Sequence, residues 1–93
     1  MIQSFRDKDT ENVFARQRVK RYSLAIQKLA QRKLNLIDGA DSIEDPRVPP
    51  GNRLDKLSGN RQGQYSIRIN RQWRICFHWQ AGQASDVEIV DYH

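Results

Sequence analysis

From residue 65 to residue 79 the chain alternates apolar and polar side chains. Tyr65, Ile67 and Ile69 alternate with Ser66, Arg68 and Asn70, and Trp73, Ile75, Phe77 and Trp79 alternate with Arg74, Cys76 and His78. A period of two belongs to strands that bury one face. Val87 and Ile89 resume the pattern after Ala81-Gly82-Gln83. Three antiparallel strands are therefore predicted, joined by tight connections around Asn70-Arg71 and Gly82.

The first half reads differently. Ile2 to Phe5 is predicted as a short first strand. Asp7 or Asp9 can cap the helix that follows, accepting from the exposed N–H groups of its first turn, and Val13 and Phe14 are its expected buried residues. The basic stretch Arg16-Gln17-Arg18-Val19-Lys20-Arg21 leads to a longer helix over Leu24–Ala40, with Ser23 as its cap. Ile26, Leu29, Ala30, Ile37 and Ala40 fall on one face of that helix, with Leu36 beside them. Arg21, Lys28 and Arg32 fall on the other side and read as a solvated surface. Gly39 sits where a helix-ending glycine is expected. Residues 41–51 hold all three prolines, two of them adjacent, and form an irregular connection.

Two helical stripes and an apolar sheet face need each other for burial. The fold class is α+β, with two helices packed on one face of a small twisted antiparallel sheet. With 93 residues there is room for one domain over 1–93 and one core.

Composition narrows the function. Sixteen Lys/Arg against eleven Asp/Glu give a net charge of +5, which favours a polyanionic partner such as nucleic acid. One cysteine, Cys76, excludes an internal disulfide, and one Cys with two distant His gives no zinc-ligand spacing. No metal and no cofactor is expected. No apolar run reaches the roughly 18 to 20 residues that cross a bilayer. The opening Met1-Ile2-Gln3-Ser4-Phe5-Arg6 lacks the features of a secretory leader, so a cytoplasmic protein is expected.

Parity puts Arg68 and Arg74 together on the open face of the first hairpin. Two guanidiniums there either hold an anion between them or point separately to solvent. The closing triplet Asp91-Tyr92-His93 has two readings as well. It is either a loose end of accidental composition or a carboxylate, a phenol and an imidazole delivered together by a docked strand. RNA carries its own nucleophile, the ribose 2′-OH. A ribonuclease then needs a base, an acid for the leaving 5′ oxygen and a cation for the charged phosphorane. Arg68 and Arg74 suit the cation, His93 and Asp91 the proton transfers, and Tyr92 stacking or hydrogen bonding. Arg61 and Lys56, beside the polar turn 58–63, are candidates for contact with RNA backbone. Asp91 and His93 share parity with Val87 and Ile89, so they reach the arginine face only if the strand twists or bulges near Val90. His78 reads as a surface residue, and Cys76 lacks a partner that would make it a nucleophile.

These residues also carry a resemblance. The runs 52–61, Gln64-Tyr65-Ser66-Ile67-Arg68-Ile69 and Gln72-Trp73-Arg74-Ile75-Cys76-Phe77, with the closing Asp91-Tyr92-His93, resemble the HigB-type toxins of the RelE-like superfamily. The resemblance spans essentially the whole chain and is strongest from residue 52 onward. It implies a RelE-like fold and a ribosome-dependent mRNA endonuclease that works by 2′-OH attack and leaves a 2′,3′-cyclic phosphate. It places Arg74 at the transition-state arginine, Asp91, Tyr92 and His93 in the active-site group, and Arg68 at a basic position on the same sheet face. It also implies a HigA-like antitoxin with a helix-turn-helix domain, in a hetero-oligomeric complex that binds operator DNA through the antitoxin. Where some HigB-type members carry an active-site His and a following Lys, this chain has Asp55 and Ser58. A non-catalytic module that blocks translation without cleavage is the alternative, and a partner-binding protein whose basic face meets only an acidic antitoxin is a third reading.

Overall fold

The computed structural model describes residues 1–91. Helix α1 spans Lys8–Phe14 and α2 spans Leu24–Gly39. Four strands follow: β1 over Asp55–Lys56, β2 over Gln64–Arg68, β3 over Trp73–Gln80 and β4 over Gln83–Asp91. They form one antiparallel sheet in the order β1-β2-β3-β4. The predicted architecture stands, with β1 as an addition. Both its residues are exposed, so no period marked it.

The helices begin where the caps were predicted. Asp7 accepts from the Thr10 amide at 2.6 Å and Ser23 from the Ile26 amide at 3.2 Å. Helix α2 buries Gln27, Ala30, Leu34 and Ile37. Leu34 is fully buried although it was absent from the predicted stripe, while Leu36 is 40% exposed. The 3-4-3 spacing of these four positions tracks one helix face more closely than the predicted set. Gly39 is the last helical residue, and Ala40 ends the helix in an extended conformation.

The predicted first strand is reduced to two parallel bridges, Ile2 to Ala84 and Phe5 to Val87. Amides and carbonyls still pair there, with Gln3 N to Ala84 O at 2.7 Å and Arg6 N to Val87 O at 2.9 Å. Thr10 Oγ1 accepts from the Ile89 amide further along the same edge. The outer edge of β4 is thereby covered and offers no open template for another strand.

Both hairpin turns fall where expected. Asn70 Oδ1 accepts from the amides of Gln72 and Trp73, an Asx turn that closes β2–β3. Ala81 and Gly82 have φ of 53° and 77°, the left-handed pair a two-residue hairpin needs. A bulge interrupts β3–β4, where the register passes from Cys76 opposite Glu88 to His78 opposite Ser85. Asp86, with φ 51°, takes up the extra residue, which lets Ala84 and Val87 both face the core. That core lies between sheet and helices and includes Val13, Tyr22, Leu34, Ile37, Ile67, Ile75 and Phe77.

Candidate functional site

The β2–β3 register sets Arg68 directly opposite Arg74. On this side of the sheet the loop before β1 folds back and changes what the two side chains do. Arg74 is only 8% exposed. Its Nε donates to Ser66 Oγ at 2.9 Å, and its Nη2 donates to the Arg53 carbonyl at 2.8 Å and to Asp55 Oδ2 at 3.3 Å. A guanidinium held by this many acceptors is pre-oriented, so little conformational freedom is left to lose when it meets an anion. Arg53 has φ 48° and ψ 60°, and this left-handed turn aims its carbonyl at Arg74.

Arg68 Nε donates to the Asn70 carbonyl at 3.0 Å. Arg53, Arg68, Asn70, Arg71 and Arg74 together line an open basin of about 330 Å³. Four guanidiniums and no carboxylate line it, a setting suited to phosphate groups. The sequence reading found Arg68 and Arg74 but missed Arg53 and Arg71. Arg68, Arg71 and Arg74 recur every third residue across a hairpin turn, which brings all three to one end of the sheet. That signal was available. Nothing local signals Arg53, whose arrival depends on the irregular connection.

The other predicted contacts separate from this basin. Arg61 lies on a turn over the sheet and is engaged by Glu88 at 3.1 Å and Gln64 Oε1 at 3.1 Å, while Arg6 approaches Glu88 at 3.5 Å. Lys56 is exposed on β1, and Lys56 and Arg61 share a second basin of about 320 Å³ with Asp55, Leu57 and Ser58. Cys76 is fully buried. Burial pushes its thiol up, which removes thiolate chemistry at neutral pH. His78 sits near Asp86 with its side chain 38% exposed.

Strand β4 runs through Val90 without a break, pairing Val90 with Arg74 and Asp91 with Trp73. The bulge lies at Asp86 instead, because pairing to β3 continues as far as Trp73 and holds the period of two. By alternation Asp91 lies on the side of Ile89 and Trp73. Its carboxylate accepts from Gln72 Nε2 at 3.1 Å. It is at the same end of the sheet as the arginine basin without being on that face. Tyr92 and His93 lie outside the described residues. Among the described residues no cluster of three His, Cys, Asp or Glu side chains can hold a metal ion, and no helix is long and apolar enough to cross a membrane.

Two helices against a small four-stranded antiparallel sheet make the fold of the RelE-like toxins, and the family match places the chain among them. Residues 3–93 match the family described as the RelE-like toxin of the type II toxin–antitoxin system HigB, and the chain belongs to that family. It is 40% identical over 87 residues to Toxin HigB-1 of Vibrio cholerae serotype O1, covering 90% of each chain. Over 41 residues it is 39% identical to Endoribonuclease HigB of Proteus vulgaris, 44% of this chain and 45% of that one. Its fold is shared with the Staphylococcus aureus YoeB-YefM complex, with a TM-score of 0.63 at 17% identity over 100% of this chain and 98% of that one.

Proposed function

We propose that this toxin is a ribosome-dependent endoribonuclease that cuts translated mRNA in the cytoplasm. The observation that carries the reading is the fixed Arg74 in a basin of four guanidiniums. The ribose 2′-OH attacks the adjacent phosphorus, the bond to the 5′ oxygen breaks, and a 2′,3′-cyclic phosphate and a 5′-hydroxyl result. Arg74 offsets the charge that builds on the phosphorane, and Arg68, Arg53 and Arg71 hold neighbouring phosphates. Tyr92 and His93 supply the proton transfers and the contact to the base, supported by their resemblance to the family's closing group. Asp91, which pairs with Trp73 in a β4 unbroken through Val90 and lies off the arginine face, has no step in the reaction. Arg61 and Lys56 reach RNA further along the open side. The chemistry needs neither metal nor cofactor, since the substrate brings its own nucleophile.

Asp55 has a specific place in this scheme. By the family resemblance it takes the position where some HigB-type members carry a histidine, and its carboxylate accepts from Arg74 Nη2. It orients the transition-state cation. The partner of the toxin is a HigA-like helix-turn-helix antitoxin, with which it forms a hetero-oligomer that reaches operator DNA through the antitoxin. The Proteus vulgaris relative is named as an endoribonuclease, which supports nuclease activity, and the shared fold with the YoeB-YefM complex supports a protein antitoxin.

Expression of the chain alone is expected to arrest growth and to produce cuts in a translated reporter that primer extension maps. Arg74→Ala, and separately deletion of His93, are expected to abolish both. Full toxicity in both variants would remove the site assignment. Arrested translation over an intact message would favour the non-catalytic module instead.

A further inference from the structure

A further cavity lies in the helix layer, across the sheet from the arginine basin. It is a groove of about 650 Å³ between α2 and the basic linker 15–22. Gln27, only 7% exposed, clamps that linker against the helix. Its Nε2 donates to the Gln17 carbonyl at 2.6 Å, and its Oε1 accepts from the Val19 amide at 2.9 Å and from Arg18 Nη1 at 2.8 Å. Arg18 Nη1 also donates to the Tyr22 carbonyl. The rim is thus fixed before any partner arrives.

Val13 and Leu24 give the groove an apolar floor, and Leu24 is 54% exposed. Arg16, Arg18, Lys28 and Arg32 surround it, with no carboxylate among the lining residues. None of these four cations makes an ion pair among the described residues, so their charge in the groove is not offset by a neighbouring carboxylate. Leu24, Lys28, Arg32 and Asn35 form one stripe of α2 beside its buried stripe, so the groove is elongated along the helix.

We infer that this groove docks an acidic amphipathic segment of the antitoxin. Carboxylates would meet the four cations, and one apolar stripe would cover Leu24 and Val13. RNA suits it less well. A phosphate backbone has nothing to place on Leu24, and no aromatic ring lines the groove to stack a base. The inference rests on membership of the toxin–antitoxin family and is independent of the cleavage reaction, since the arginine basin stays open when the groove is filled.

The test uses the full chain carrying Lys28→Glu and Arg32→Glu, both at exposed positions. The probe is the purified antitoxin encoded in the adjacent reading frame, titrated calorimetrically at low and at moderate salt. Affinity is expected to fall at least about 10-fold, most at low salt, and to recover when acidic residues of the antitoxin segment are changed to Lys. The doubly changed toxin, expressed alone, keeps its growth arrest and message cleavage. Leu24→Ser, with its melting temperature as a control, is expected to weaken binding without altering the salt dependence. Antitoxin affinity unchanged within about 2-fold in both variants overturns the inference. Loss of ribosome co-sedimentation with antitoxin binding intact also overturns it and gives the groove to RNA. Loss of cleavage by Arg74→Ala with the groove result unchanged shows that the two readings stand or fall separately.

Discussion

The two sides of the sheet are built from the same strands and obey different rules. The helix side carries Ile67, Ile75, Phe77, Val87 and Ile89, all fully or nearly fully buried. Each contributes by losing contact with water, and any apolar neighbour of suitable size will do. The open side carries Ser66, Arg68, Arg74, Cys76 and Glu88, whose value depends on particular partners at particular distances. Ser66, Arg74 and Cys76 are nonetheless buried there, because the loop before β1 and the turn at residues 59–61 close over them. An outward-facing position in a strand is therefore not the same as a solvated one. Arg74 is pre-oriented by the very segment that hides it.

The comparison can be tested from its strongest contrast downward. Phe77→Ala, on the helix side, should lower stability by about 3–5 kcal/mol in chemical denaturation, with activity lost only in proportion to unfolding. A loss below about 1 kcal/mol would mean that the core does not rest on that face. Arg74→Lys, on the open side, should reverse the balance. The fold persists, but message cleavage falls about 100-fold, since an ammonium cannot satisfy Ser66 and the Arg53 carbonyl while facing phosphate. Cleavage within a few-fold of wild type would show that charge alone suffices.

Asp55→Ala should act through Arg74 and reduce cleavage about 10-fold with little change in melting temperature, because the Asp55 carboxylate is exposed to solvent and Arg74 keeps its bonds to Ser66 and the Arg53 carbonyl. If Asp55→Ala and Arg74→Lys combine additively, the two do not act together. The smallest effect concerns pH. Burial pushes Cys76 up from its ordinary value of 9.0 and Tyr22 up from 10.0. The unfolded chain then releases these protons first, so stability present below about pH 9 is lost as pH rises. Lys33, pushed down by burial and then by Arg32, has the opposite sign and offsets part of the loss. Melts between pH 7 and 10.5 should show Cys76→Ala with a shallower alkaline decline than wild type. Parallel declines would remove Cys76 as a cause.

Much of this was legible in the chain itself. Hydrogen bonding within a turn is a local matter, so Asp7, Ser23, Asn70 and the Ala81-Gly82 pair announced their roles. Period-two alternation assigned the two faces of β2 and β3 correctly. Leu34 and Leu36 were harder, since both lie near the edge of the apolar stripe and only contact with the sheet decides which is covered. Lys28 and Arg32 read as a solvated surface, and they became one wall of a groove once Gln27 had drawn the linker across α2.

The site divides along the same line. The opposition of Arg68 and Arg74 follows from parity and a short turn, both written within ten consecutive residues. That Arg53 joins them, that Asp55 holds Arg74, and that β4 bulges at Asp86 rather than bending near Val90 depend on backbone that comes from far away in sequence. Local pattern encodes which face a residue takes, because the period of a strand or helix is set by neighbouring peptide units. Only the tertiary structure decides what meets that face, because the partners are brought there by chain closure and not by spacing.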